Sequence, residues 1–259
     1  MKKLIHKKFY MKHDEIQRKY NNHVFLQKKS KGITKELKGD VIVIVLFVND
    51  ENSKWTQSDI DANKQVYNSA FSLLLNLAEN RNVNLQLRKA FQEITLPLVC
   101  TRENRQAWSK AIAELYNRSS LTEFQEYYKK KYKCDEAPIM IAFNKDFRSY
   151  AMSDVGSKYT MDEYSAIKSN CSPRTIIHEL LHQFGAVDFY FPEEVRSLMK
   201  KLRYKSVMNC DNSNCIDNLT AYLIGWTDHI TYEEIVILEG TKHFTEDMLN
   251  KAKKQEWAK

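Results

Sequence analysis

The run His178-Glu179-Leu180-Leu181-His182 carries two imidazoles four residues apart. On a helix they lie one above the other on the same face, close enough to converge on one metal ion at about 2.0–2.1 Å. Glu179 follows the first histidine by one position, about 100° round the helix, where its carboxylate reaches a water beside the ion rather than the ion itself. Gly185 stands three residues after His182 and can take the left-handed conformation that stops a helix and turns the chain back. A chain reversed there returns Asp188 to the open side of the histidine pair, giving three protein ligands with a fourth position for water. The chemistry expected is hydrolysis of a peptide bond by a water activated on a single catalytic Zn2+, with Glu179 as general base and then acid. The phenol of Tyr190 could support the oxyanion if it points into the cleft.

Other readings of these residues are open. His178 and His182 could be partly buried polar residues of an amphipathic helix, and Asp188 a solvated loop residue. His229 or His243 could replace Asp188 as third ligand, and Glu193 or Glu194 could do so in the manner of a downstream glutamate. The turn offered by Gly185 favours the compact set ending in Asp188.

Further on, Ser206-Val207-Met208-Asn209 looks like a methionine turn. Together with His-Glu-x-x-His-x-x-Gly-x-x-Asp, it makes the chain resemble metzincin-like zinc peptidases, in the branch whose third ligand is aspartate, as in snapalysin and the immune inhibitor A peptidases. Those have Gly-Leu-Pro-Asp-x-Tyr where this chain has Gly185-Ala186-Val187-Asp188-Phe189-Tyr190; the aspartate and tyrosine match and Leu-Pro does not. The resemblance covers roughly residues 137–226. It implies a zincin catalytic domain in which Met208 underlies the zinc site and the stretch Phe147–Asp154 forms a rim strand that pairs with an extended substrate. Met208 could equally be ordinary core.

These side chains need a scaffold, and the rest of the sequence describes one. Val41–Val48 is continuously apolar and β-branched, as expected of a central strand covered on both faces. Thr56 or Ser58 can cap a long helix to about residue 80, followed by a short strand at Val83–Leu87. Amphipathic helices are expected at Ala107–Tyr116 and Leu121–Lys133, then strands at Pro138–Phe143, Tyr150–Ser153 and Tyr164–Ile167. Ser172-Pro173 caps and opens the zinc helix. Beyond it, helices are expected at Pro192–Leu202, at Ile216–Trp226 and from Thr245 to the end. The fold class is therefore α+β, a zincin-like domain with a mixed twisted sheet of about five strands. Its upper subdomain covers about 39–185, and a small, mainly helical lower one covers about 186–259.

Of the 259 residues, 43% are hydrophobic and 12% aromatic, ample material for a core, and with six glycines and four prolines no flexible linker is visible. The net charge of +7 is concentrated in residues 1–40, where 12 Lys and Arg face 4 Asp and Glu, while the remainder holds 28 against 29. Residues 1–38 are thus a basic N-terminal arm that could dock an acidic partner or surface or pack on the domain, and whose Asp14 or Glu15 could occupy the metal in a latent form. The arm lacks the basic–aromatic interleaving that stacks bases, which argues against nucleic acid. No apolar run has membrane-spanning length, and no signal-peptide core follows Met1-Lys2-Lys3, so a cytoplasmic protein is expected. Five cysteines leave one unpaired, which fits a reducing compartment; Cys210 and Cys215 could bridge the loop after Met208 under oxidising conditions. A monomer acting on protein or peptide substrates is the expectation, with a zinc-holding interaction or effector protein without turnover as the alternative.

Overall fold

The apolar run at the centre of the chain forms β2 (Gly39–Asn49), whose Val41–Val48 are all buried. The pleat explains why no polar residue interrupts it. Val41, Val43, Val45 and Phe47 point into one core, and Ile42, Ile44, Leu46 and Val48 into a second core on the opposite face. In the computed structural model, which describes residues 10–153, 162–209, 212–245, 247, 248 and 251, β2 lies inside a five-stranded mixed sheet of order β3-β2-β4-β6-β5. The other strands are β3 (Leu85–Thr95), β4 (Ile139–Phe143), β5 (Tyr150–Met152) and β6 (Tyr164–Lys168). All neighbours are parallel except β5, which runs antiparallel to β6 at one edge.

Helices cover both faces. On one lie α2 (Gln57–Glu79) and α5 (Pro173–Gln183); on the other lie α3 (Arg105–Leu115) and α4 (Leu121–Tyr132). Thr56 starts α2, its hydroxyl accepting from Asp59 N at 3.1 Å. Ser172 starts α5, its hydroxyl accepting from Thr175 N at 3.2 Å, with Pro173 in the first turn. The strand expected at Val83–Leu87 is instead Leu85–Thr95, because β3 is an edge strand exposed on both faces, at Arg88 and at Lys89 and Glu93, and this breaks the apolar alternation.

The basic stretch read as an N-terminal arm is, over residues 10–38, part of the domain. It contains β1 (Tyr10–Lys12), α1 (His13–Tyr20) and a short 3-10 turn at Leu26–Lys28. Ile16, Tyr20, Phe25, Leu26 and Leu37 are buried in the same core as α5. β1 pairs antiparallel with β7 (His229–Thr231). Glu15 caps its own helix, accepting from Lys12 N at 3.3 Å, and Asp14 is exposed, so neither is seated among the histidines.

The segment after α5 adds α6 (Glu193–Leu202), α7 (Asn218–Leu223) and α8 (Tyr232–Gly240). Its Phe189, Val195, Met199 and Leu238 share one continuous core with β2 and α5, so the upper and lower regions are joined through apolar contact. Asp154, Cys210 and most of the stretch expected to form a last helix from Thr245 lie outside the described residues. Among the described residues no helix is long and apolar enough to cross a membrane.

Candidate metal centre

Helix α5 presents His178 and His182 on one face, their rings nearly perpendicular and their Nε2 atoms 3.2 Å apart. The helix ends at Gly185, whose φ of +92° reverses the chain as its sequence position implied. A side chain there would also strike the backbone, since a Cβ would lie 2.7 Å from the carbonyl oxygen of Lys28. The returning chain brings Asp188 Oδ1 to 3.2 Å from His178 Nε2 and 3.1 Å from His182 Nε2. These three atoms form a near-equilateral triangle. Ligands about 2.05 Å from a tetrahedral ion are separated by about 3.3 Å, so the triangle matches one face of such a site.

The outer atoms of the imidazoles decide what the inner ones offer. His178 Nδ1 lies 3.0 Å from the carbonyl oxygen of Val207, and His182 Nδ1 lies 2.9 Å from that of Ala186. A carbonyl only accepts, so both Nδ1 atoms carry hydrogen, and in neutral imidazole both Nε2 atoms then turn lone pairs inward. Asp188 Oδ1, buried and lacking a hydrogen-bond donor, adds a third. Three lone pairs facing one point call for a cation. A proton on one histidine or a divalent metal ion could supply it, and two imidazoles with one carboxylate are donors that suit divalent transition-metal ions, zinc among them.

Glu179 also lies within 4.8 Å of both histidines, so two carboxylates are candidates for third ligand. Asp188 fits better, because its oxygen touches both imidazoles and its charge is secured. Burial opposes its ionisation, but His182 and His178 outweigh that and hold it well below the usual carboxylate range. Glu179 is shifted the other way, burial raising its pKa against the partial opposition of His178 and His182. The two neighbouring carboxyl groups are thus pushed apart, Asp188 down and Glu179 up. His178 itself is hindered from charging by burial, yet Asp188 raises its pKa overall.

The turn at Ser206–Asn209 holds both sides of the triangle. Val207 supplies the carbonyl to His178, and Met208 the carbonyl that accepts from Phe189 N at 3.0 Å, next to Asp188. Met208 itself is fully buried in the core. Arg174, one turn before His178, fastens this turn by donating to the carbonyls of Val207 at 2.9 Å, Asn209 and Ser213. Its role was not drawn from the sequence, although its spacing of four from His178 places it on the same helical face. Beneath the turn, Asp217 accepts from Ser206, Thr220 and Tyr204, and Tyr204 also contacts Glu234 at 2.8 Å, a fully buried polar network.

Tyr190 stacks on His178 with centroids 6.1 Å apart, and its hydroxyl accepts from Arg148 at 3.1 Å. It lines a cleft of about 640 Å3 with His178, Glu179, Arg148 and Lys168. A narrower recess of about 60 Å3 reaches His182 and Asp188 between Ala151 of β5 and Lys28 of the N-terminal stretch. Nothing in the sequence tied Lys28 to this site, whereas Arg148 belongs to the Phe147–Asp154 stretch expected at the rim of the cleft, of which Tyr150–Met152 form strand β5. The other histidine and glutamate candidates stand elsewhere. His229 is exposed in β7 against Thr227 and Asp228, His243 packs on Phe244, and Glu193 bonds Arg196 and Ser197 in the exposed first turn of α6, beside the exposed Glu194.

Comparison with known proteins places the chain in no family: no protein-family model matches it, and neither does any curated protein. Among solved structures, a chain described as "Structure of a chaperone-substrate complex" is similar over 80% of this chain at 16% identity and a TM-score of 0.45. This chain spans about a third, 34%, of that one's length.

Proposed function

We propose that the chain is a zinc-dependent metalloendopeptidase of metzincin-like design, with His178, His182 and Asp188 as ligands and Glu179 as general base and acid. One observation carries the reading: three lone pairs, on two imidazoles of fixed tautomer and one ionised carboxylate, converge beside a second carboxyl group whose pKa is raised. A bound zinc ion supplies electrophilic activation of a carbonyl and acidifies water toward a pKa of about 7.

The protein's own groups do the rest. Glu179, buried yet open to the cleft, accepts a proton from the attacking water at its carboxylate and returns it to the departing amine. The raised pKa suits a group that must hold that proton between the two transfers. Arg148 keeps the Tyr190 hydroxyl at the cleft wall, where it can donate to a carbonyl oxygen as negative charge develops. Strand β5 has an edge that no strand among the described residues pairs, beside the recess, and a peptide aligned there satisfies its backbone groups while lying across the histidine pair.

Hydrolysis of a diverse quenched-peptide library by the zinc-loaded protein tests this. Glu179→Gln is expected to lower the rate at least about 100-fold while zinc stays near one per chain. Turnover retained in that variant contradicts the proposal.

A further inference from the structure

The sheet has a second opening, on the other side of the loop that walls the cleft. The chain leaves β2 for β3 through α2 on one face and returns from β3 to β4 through α3 and α4 on the other. The C-terminal ends of β2 and β4 are therefore where the connections diverge, the position at which open α/β sheets form ligand crevices. A cavity of about 530 Å3 occupies this place, lined by apolar surface from Val99, Cys100, Trp108, Phe143, Phe147 and Tyr150, with the charged Arg102, Glu103, Lys145, Asp146 and Arg148 also on its wall. The rings meet edge to face, Trp108 with Phe143 at 5.5 Å and Phe143 with Phe147 at 6.0 Å. Burial keeps the Cys100 thiol protonated, its pKa pushed up to about 12, and the buried Asp50–Lys145 ion pair ties the loop after β2 to the loop after β4.

This cavity and the cleft at His178 share the wall formed by Asp146, Phe147 and Arg148. The pleat of β5 links them further. Ala151 lines the recess beside Asp188, Tyr150 borders both the recess and the cavity, and Tyr150 and Met152 pack against the core on the cavity side. A peptide paired along β5 has side chains that alternate in the same way, and those opposite Tyr150 and Met152 point to the cavity face.

Resting on the peptidase reading, we propose that this cavity is a specificity pocket that takes one aromatic or large aliphatic side chain of a peptide held on β5, at a fixed position relative to the cut. The apolar rings bury that side chain, and the shared wall sets its distance from Glu179. Small residues at that position leave the pocket unfilled, and acidic ones forgo the burial of apolar surface that an aromatic ring gains.

The test separates the pocket from the chemistry. Fluorescence anisotropy would measure binding of labelled decapeptides, each with phenylalanine, alanine or aspartate at one position in turn, to the full-length Glu179→Gln chain. At one position phenylalanine is expected to bind at least about 10-fold tighter than alanine or aspartate. Val99→Trp, which fills the cavity, should erase that preference while leaving the alanine peptide's affinity unchanged; Phe147→Ala, which widens the cavity, should shift the preference toward larger side chains. Equal affinity for all three peptides at every position, or an undiminished phenylalanine preference in both pocket variants, overturns the proposal. Cleavage by the wild-type chain is scored separately, so absent hydrolysis with a pocket-dependent preference defeats the peptidase reading alone.

Discussion

His178 donates from Nδ1 to the carbonyl oxygen of Val207, 3.0 Å away, so the residue before Met208 sets which nitrogen of His178 faces the site. The turn thus acts through its backbone, and Arg174 fixes that backbone from the same helix that carries the ligand. Replacing Arg174 with methionine removes the donors to three carbonyls. We expect a loss of about 2 kcal/mol in unfolding free energy and a zinc affinity about 10-fold weaker. Denaturant titration with zinc competition measures both; unchanged affinity would show that the turn does not orient His178.

Gly185 is required twice, by its φ of +92° and by the approach of Lys28 oxygen to within 2.7 Å of a Cβ. Gly185→Ala is expected to cost roughly 2–3 kcal/mol and lower the melting temperature by about 5–10 °C. A melting temperature equal to that of the wild type would mean that the turn adapts without strain.

His23 ties the N-terminal stretch to the end of α8, with Nε2 3.2 Å from Leu238 oxygen and Nδ1 accepting from Phe25 N at 3.1 Å. Burial lowers its pKa from 6.5 to about 4. The unfolded chain takes up this proton near pH 6.5 and the folded one only near pH 4, so the contribution is complete above that window and is lost as pH falls through it, up to about 3 kcal/mol. His23→Gln should flatten the difference between urea midpoints at pH 7.5 and pH 4.5. An unaltered difference would assign the acid sensitivity to other groups.

The sequence showed most where one residue type answers one local demand. Gly185 stops the helix, Ser172-Pro173 starts it, and Thr56 starts α2; each works through neighbours within four residues. The central strand was visible because both faces of β2 are buried. What stayed hidden depends on contacts between distant segments. Polar residues along β3 masked an edge strand, and the charge of residues 10–38 masked Ile16, Phe25 and Leu26, which fill the core beside α5. Lys28 reaches the site from a segment about 150 residues before His178, a proximity no local pattern records.

The identity of the third ligand is the point on which the site turns, since Asp188 and Glu179 both stand beside the histidine pair. Zinc dissociation constants for the wild type, Asp188→Ala and Glu179→Ala, measured by competition with a chromophoric chelator, address it directly. We expect one tightly bound zinc per wild-type chain, at least about 100-fold weaker binding in Asp188→Ala, and binding within about 10-fold of wild type in Glu179→Ala. A wild-type chain that binds no zinc, or an Asp188→Ala chain that binds it as tightly as the wild type, would contradict the assignment.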